Sequence, residues 1–125
     1  NVGLFCSTPS VALARNVGRK KALEMLLTGD FISAEEAAEE GLINHAVPAE
    51  LLDQTVAKLC DAICAKSAMA IRTGKEMFYR QLEMGVAQAY EYASGVMACN
   101  MVHEDAAEGI DAFMQKRKPI WKQLV

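Results

Sequence analysis

The segment RKKALEMLLTGDFISAEEAAEEGLINHAVP, residues 19–48, carries the clearest structural signals of the chain. Its first part consists of strong helix formers and ends at Gly29, a residue that commonly terminates helices. Ser33 is placed to accept hydrogen bonds from the first free N–H groups of a second helix, and Glu36 completes a capping box three residues later. Because Gly41 then ends that helix, the segment predicts two short helices in succession.

A short apolar run, near residues 42–47 (LINHAV), follows between Gly41 and Pro48 and is the best strand candidate. One strand cannot form a sheet, because an isolated strand leaves its backbone N–H and C=O groups unpaired. The chain also opens on Asn1 without an initiator Met. We therefore expect this chain to be the C-terminal part of a larger α/β fold whose sheet lies upstream.

Beyond Pro48 the apolar residues recur at helical spacing, with charged residues between them. This pattern predicts a chain that is mostly α-helical by itself. A modest break near Lys66 and Ser67 predicts a junction between two helices. Helices are predicted over approximately 51–63, 67–82, 85–101 and 104–117.

Composition limits the classes of function. The 125 residues are 52% apolar, which is enough to build a core, and the formal net charge is −3. A protein that grips nucleic acid without regard to sequence is usually basic, so no nucleic-acid partner is expected. No apolar run approaches the ~18 residues that span a bilayer, so no membrane partner is expected either.

The cysteines and histidines do not predict a metal site or a catalytic triad. Cys60 and Cys64 lie one helical turn apart, but no second close pair or nearby histidine completes a set of ligands. We expect all four cysteines, at positions 6, 60, 64 and 99, to be small buried hydrophobic residues. His45 and His103 have no partner at ligand or triad spacing, so surface or capping roles are predicted.

Three features together resemble one family. They are the segment 19–48 with its TGDFISAEEAAEEGL motif, the lone Lys75 about thirty residues later, and HEDAAEGIDAFMQKRKP at residues 103–119. In this order and at this separation they resemble the C-terminal half of a crotonase, the enoyl-CoA hydratase/isomerase superfamily. The resemblance covers essentially the whole chain.

The resemblance implies a place in the crotonase fold. Residues 1–66 would be the end of the α/β core, with one short strand, and residues 67–125 a helical trimerisation and CoA-lid region. Trimers of this family commonly stack into hexamers. An acyl-CoA thioester would be the substrate, with no separate cofactor, and the expected context is fatty-acid metabolism. The implied location is the mitochondrial matrix in a eukaryote and the cytoplasm otherwise.

The resemblance also implies which site residues this chain can contribute. The family's two catalytic glutamates and its oxyanion hole fall upstream, so no catalytic residue is assigned here, and the chain alone is not expected to be an enzyme. Phe113 and Lys116 match positions that contact the adenine and phosphate part of CoA. From the residues alone, the favoured interpretation of Phe113 is a core residue in a stripe with Ile110, Met114 and Arg117. That of Lys116 is a cation that complements the dipole at a helix C-terminus.

Three functions stay open. The first is an enoyl-CoA hydratase or isomerase. The second is a non-catalytic acyl-CoA-binding or regulatory homologue, because the start NVGLFCSTPSVALAR (1–15) resembles a branch that tends to lack the glutamates. In that start, Ser7 to Ser10 replace a Gly-Gly pair and are expected to reshape a loop near the acyl pocket. The third is a free-standing helical interaction module.

Overall fold

The computed structural model describes residues 3–122, and within this range it is predominantly α-helical. The predicted helices are all present, with a 3-10 turn, Ala49–Leu51, leading into the fourth. No described helix is long and apolar enough to cross a membrane. The helices are α1 (Ser7–Asn16), α2 (Arg19–Thr28), α3 (Ala34–Glu39), α4 (Leu52–Cys64), α5 (Ala68–Gln81), α6 (Val86–Met101) and α7 (Glu104–Met114).

The described residues group into two units, the first ending at Asp53 and the second beginning at Gln54. The junction near Lys66 and Ser67, where the family resemblance implies a boundary, therefore lies inside the second unit. The division of the chain into the end of a core and a lid region stays a prediction.

The first unit confirms the helix signals of the opening segment. Gly29 adopts the left-handed conformation (φ 70°) and donates its N–H to Met25 O at 3.0 Å, which ends α2. Ser33 Oγ accepts a hydrogen bond from Glu36 N at 3.1 Å and caps α3. The Glu36 carboxylate lies 2.6 Å from Lys21 Nζ, so this residue also ties α3 to α2.

Gly41 ends α3 in the way the sequence predicts. Its φ is 79°, and its N–H donates to Ala38 O at 3.2 Å while Leu42 N donates to Ala37 O at 2.8 Å. This pair of bonds is a Schellman motif, in which a left-handed residue turns the chain off the helix. A Cβ at Gly41 would stand 3.5 Å from Asn16 O, an ordinary contact, so backbone conformation is the main constraint here.

The strand predicted near residues 42–47 is wrong for the described part of the chain. The backbone bends over residues 42–44 and has no strand pairing after them. The N–H groups of Leu42 and Ile43 both donate to Ala37 O, at 2.8 and 3.2 Å. These donors cap α3 and are unavailable to a strand ladder, and no strand is present in residues 3–122.

The Ser-Thr-Pro-Ser segment belongs to a helix and is not the loop that the sequence suggested. Ser7 is the first residue of α1, and Ser10 Oγ donates to Ser7 O at 2.6 Å. Pro9 lies in the first turn, where a backbone N–H would have no intrahelical acceptor, so the ring is tolerated.

Few side chains are buried within the described residues. The buried apolar residues are Val17, Ala22, Ala37 and Ala112, all small or of medium size. All four cysteines are exposed, so the prediction that they pack as buried hydrophobic residues is wrong. The apolar faces of the helices are therefore available for contact with surfaces outside the described residues.

The left-handed residue at the end of α3 gives a first testable prediction. In the full-length protein, Gly41→Ala should lower the free energy of unfolding by about 1 kcal/mol, because an L side chain is strained at positive φ. Gly41→Asn is the matched control and should cost less, since asparagine tolerates this conformation. Urea unfolding of the three proteins measures both changes. An alanine variant as stable as the wild type would contradict the account.

Candidate functional site

The last helix is shorter than predicted. It ends at Met114 instead of near residue 117, and the chain turns away at Lys116, whose φ is 54°. Lys116 N donates to Phe113 O at 3.2 Å, and Arg117 N donates to Ala112 O at 3.0 Å. This is the Schellman arrangement already seen after α3.

Lys116 takes the position that Gly41 occupies after α3. It is the one residue other than glycine with positive φ in the described part of the chain. Left-handed backbone costs an L residue roughly 1–2 kcal/mol, so glycine would be the ordinary choice here. A strained position occupied by a charged side chain points to a requirement other than stability.

Phe113 lies on the last turn of α7 and is 82% exposed. The reading of this residue as core does not hold within the described residues, because Ile110 and Met114 of the same stripe are also 51% and 75% exposed. The buried residues of α7 are Asp105 and Ala112. An exposed aromatic face and an adjacent cation are therefore both accessible at this end of the helix.

Residues 115–122, which follow α7, are called the C-terminal strap. Arg117 joins the strap to α7 through a bidentate ion pair with Glu108, with Nη1–Oε1 and Nη2–Oε2 distances of 2.6 and 2.8 Å. Glu108 Oε1 also accepts a hydrogen bond from Ile120 N at 2.7 Å. The Arg117 guanidinium, followed by the Ile120 amide, lowers the pKa of Glu108 to about 2.

Asp105 holds the other end of the strap. Its side chain is buried with the residue only 5% exposed, and Oδ2 accepts a hydrogen bond from Ser67 Oγ at 2.5 Å. Oδ1 accepts from Lys122 N at 3.1 Å. The Ser67 hydroxyl, and then the Lys122 amide, hold the pKa of Asp105 below its ordinary value. Asp105 therefore links the start of α5 to the strap.

Trp121 packs the strap against α7. Its Nε1–H donates to Ala65 O at 2.8 Å. Its ring lies beside Gly109, where a Cβ would stand 3.4 Å from Trp121 Cη2 and 3.5 Å from Cζ3, which are ordinary contacts. The indole therefore packs on α7 at Gly109 without requiring glycine at this position.

A groove opens beside the strap in the same unit. Its volume is about 590 Å³, and Phe113 and Trp121 form part of its wall. The rest of the lining is mainly apolar and comes from α5, α6, α7 and the residues just before α5. It includes Ile71, Ile110 and the buried Ser67–Asp105 pair. The site therefore combines an apolar groove with an exposed aromatic residue at its edge.

The other residues considered in the sequence analysis cap a helix or are exposed. His103 caps α7, with Nδ1 accepting a hydrogen bond from Asp105 N at 3.2 Å, and His45 is exposed, so both predictions are confirmed. Lys75 is exposed on α5 and lines a second groove beside Arg72. Within residues 3–122 no three histidine, cysteine or acidic side chains are grouped to hold a metal ion.

The family resemblance put forward Phe113 and Lys116 as site residues, but the sequence did not predict the contacts that surround them. Ser67 and Asp105 lie 38 residues apart, and helical periodicity carries no signal for such a pair. Gly109 carries no clear signal for the Trp121 contact either, because a Cβ at this position would make only an ordinary contact with the indole.

The lowered pKa of Glu108 gives a pH prediction. A carboxyl with a folded-state pKa near 2 and an ordinary value of 4.5 contributes stability above pH 4.5 and loses it as pH falls towards 2. The difference in unfolding free energy between the full-length wild type and Glu108→Gln should therefore be constant above pH 4.5 and narrow below it. Urea unfolding between pH 3 and 7 measures this, and a difference independent of pH would contradict it.

Comparison with known proteins places the chain in a family. The family model for enoyl-CoA hydratase/isomerase matches residues 1–124. The rat protein named enoyl-CoA hydratase domain-containing protein 3, mitochondrial, is 50% identical over 121 residues, covering 97% of this chain and 40% of the relative. The chain thus spans well under half the length of this curated relative.

Solved structures of enoyl-CoA hydratases are also similar to this chain. A crystal structure of an enoyl-CoA hydratase from Mycobacterium smegmatis has a TM-score of 0.94 and 51% identity, covering 97% of this chain and 47% of that one. The crystal structure of human enoyl Coenzyme A hydratase domain-containing protein 3 has a TM-score of 0.91 and 49% identity, with 97% and 48% covered.

These matches confirm the crotonase fold, of which this chain forms a part, and the resemblance of its opening segment to the domain-containing protein 3 branch. The chain belongs to the enoyl-CoA hydratase/isomerase family.

Proposed function

We propose that the full-length protein binds acyl-CoA thioesters and that Phe113 and Lys116 contact the nucleotide end of CoA. The observation that carries this proposal is Lys116 itself, a charged residue held at positive φ where glycine would be favourable. Phe113 beside it is exposed and can stack on adenine, while the ammonium can meet a phosphate as a point charge. The thioester is the substrate in this proposal, with no separate cofactor.

The proposed reaction is hydration or isomerisation of an enoyl-CoA thioester in fatty-acid metabolism. It would use two glutamates and an oxyanion hole upstream of this chain, the glutamates acting as general acid and base. Membership of the enoyl-CoA hydratase/isomerase family supports this reaction class. The name of the rat relative supports a mitochondrial location if the protein is eukaryotic; the cytoplasm is proposed otherwise.

A second candidate is a non-catalytic acyl-CoA-binding or regulatory protein with the same CoA contacts. Ser7 to Ser10 favour the non-catalytic function, because these residues form the first turn of α1 and do not provide a glycine pair. A close approach of backbone to a ligand is easiest at glycine, so this segment alters the family's pattern near the proposed acyl pocket.

The proposed assembly is a homotrimer or hexamer through residues 67–125. Large apolar side chains on α5 and α6 are exposed in the described residues, including Phe78, Tyr90 and Met97. Apolar surface of this kind is usually covered by another chain or another domain. The same exposure weighs against a free-standing helical module, because such a module would bury these side chains in its own core.

Lys116 provides the test of CoA binding. In the full-length protein, Lys116→Met should weaken binding of CoA about tenfold, since a charge-assisted hydrogen bond to phosphate is lost. Lys118→Met is the matched control, because it removes a neighbouring cation without touching the left-handed residue. Calorimetric titration with CoA measures both affinities. Equal effects of the two substitutions would remove Lys116 from the site.

Catalysis is tested separately. The full-length protein, mixed with crotonyl-CoA, should convert it to the hydrated product if the enzyme proposal is right. Binding of crotonyl-CoA without turnover would contradict the enzyme proposal and favour the non-catalytic one.

A further inference from the structure

We infer that Glu108 is a positioning residue for Lys116, acting through its ion pair with Arg117. The inference rests on the proposed function, because it assigns Lys116 to a phosphate of CoA, and it adds the group that sets where this lysine stands. Glu108 itself lies on α7, six residues before Met114, where the helix ends. It is not proposed to contact the ligand.

The corner around Lys116 is held by bonds on both sides. On the helix side, the amides of Lys116 and Arg117 donate to Phe113 O and Ala112 O, at 3.2 and 3.0 Å. On the strap side, the Arg117 side chain immediately after Lys116 is clamped to Glu108 by two short bonds. The left-handed peptide at Lys116 therefore lies between two fixed points.

Glu108 makes the corner rigid because it holds more than Arg117. Its Oε1 also accepts from Ile120 N at 2.7 Å, so one carboxylate fixes the strap at two positions three residues apart. Arg117 Nε donates to Gln115 Oε1 at 2.8 Å as well, which ties the guanidinium to the residue on the other side of Lys116. Removing the Glu108 charge would weaken the contacts with Arg117 and with Ile120 N. The contact between Arg117 and Gln115 would remain.

The energetic consequence is preorganisation. A lysine at positive φ relaxes towards negative φ unless its surroundings determine its backbone. If the corner were free to relax, binding a phosphate would have to order the backbone as well as the side chain, and affinity would fall. The ion pair removes that ordering cost from the binding step.

Charge and position predict opposite effects of one substitution. Glu108→Gln removes a negative charge near the proposed phosphate site, so electrostatics alone would make an anionic ligand bind more tightly. Loss of positioning would make the same ligand bind less tightly, because glutamine cannot form the two charge-assisted bonds to Arg117. The direction of the change in CoA affinity therefore distinguishes the electrostatic effect of Glu108 from its positioning effect.

The experiment is a calorimetric titration of CoA into the full-length protein. Glu108→Gln should bind CoA about fivefold to tenfold more weakly than the wild type, the loss expected for one charge-assisted interaction. Asp111→Asn is the matched control, because Asp111 interacts with Arg117 only through its charge. This control should bind CoA as tightly as the wild type or slightly more tightly.

A double substitution tests whether Glu108 acts through Lys116. If it does, Glu108→Gln combined with Lys116→Met should bind CoA no more weakly than Lys116→Met alone. If Glu108 acts on affinity independently of Lys116, the losses of affinity caused by the two substitutions will add. A role confined to stability would leave the affinity of the folded Glu108→Gln protein for CoA unchanged. Arg117→Lys gives an independent variant that keeps the net charge and loses the bidentate fork, and it should also weaken binding.

Three results would overturn the inference. The first is a Glu108→Gln protein that binds CoA as tightly as the wild type or more tightly. The second is a loss of affinity from Glu108→Gln that is the same in the wild type and in Lys116→Met. The third is an Arg117→Lys protein that binds CoA as the wild type does. These leave the proposed CoA contact intact if Lys116→Met still weakens binding. If Lys116→Met binds CoA as the wild type does, the proposed contact fails and the inference fails with it.

Discussion

The ion pair between Glu108 and Arg117 is the contact on which the end of this chain depends. Both oxygens of the carboxylate are used, one of them also by the amide of Ile120. Because of this pair, the chain turns back along α7 after Lys116 and brings Trp121 against Gly109. Asp105 then fixes Lys122 and connects the strap to the cap of α5 through Ser67.

This arrangement explains why an acidic start and a basic end occur in one short helix and its continuation. The composition of HEDAAEGIDAFMQKRKPIW suggests only a helix matched to its dipole. In the structure the charges are used more specifically, since Arg117 reaches back to Glu108 and leaves Lys116 exposed at the corner. The exposed cation and the exposed Phe113 are what remains available for a ligand.

Local signals in the sequence predicted local structure well. The Ser33 cap, the glycine that ends α3 and the helices themselves follow from capping rules and apolar periodicity, which depend on neighbours within a few residues. The strand near residues 42–47 failed because a strand depends on a partner that local pattern cannot supply, and its donors cap α3 instead. The exposure of the cysteines was missed for a similar reason, since burial depends on surfaces beyond the chain.

The candidate site was predicted only in its outline. Family resemblance gave Phe113 and Lys116, but the left-handed corner and the Ser67–Asp105 bond depend on contacts distant in sequence. The central claim is that this corner meets the phosphate end of CoA. A crystal structure of the full-length protein with acyl-CoA tests it most directly. Lys116 Nζ is predicted to lie about 2.7–2.9 Å from a phosphate oxygen, with the Glu108–Arg117 pair intact. A nucleotide bound away from Lys116 and Phe113 would contradict it.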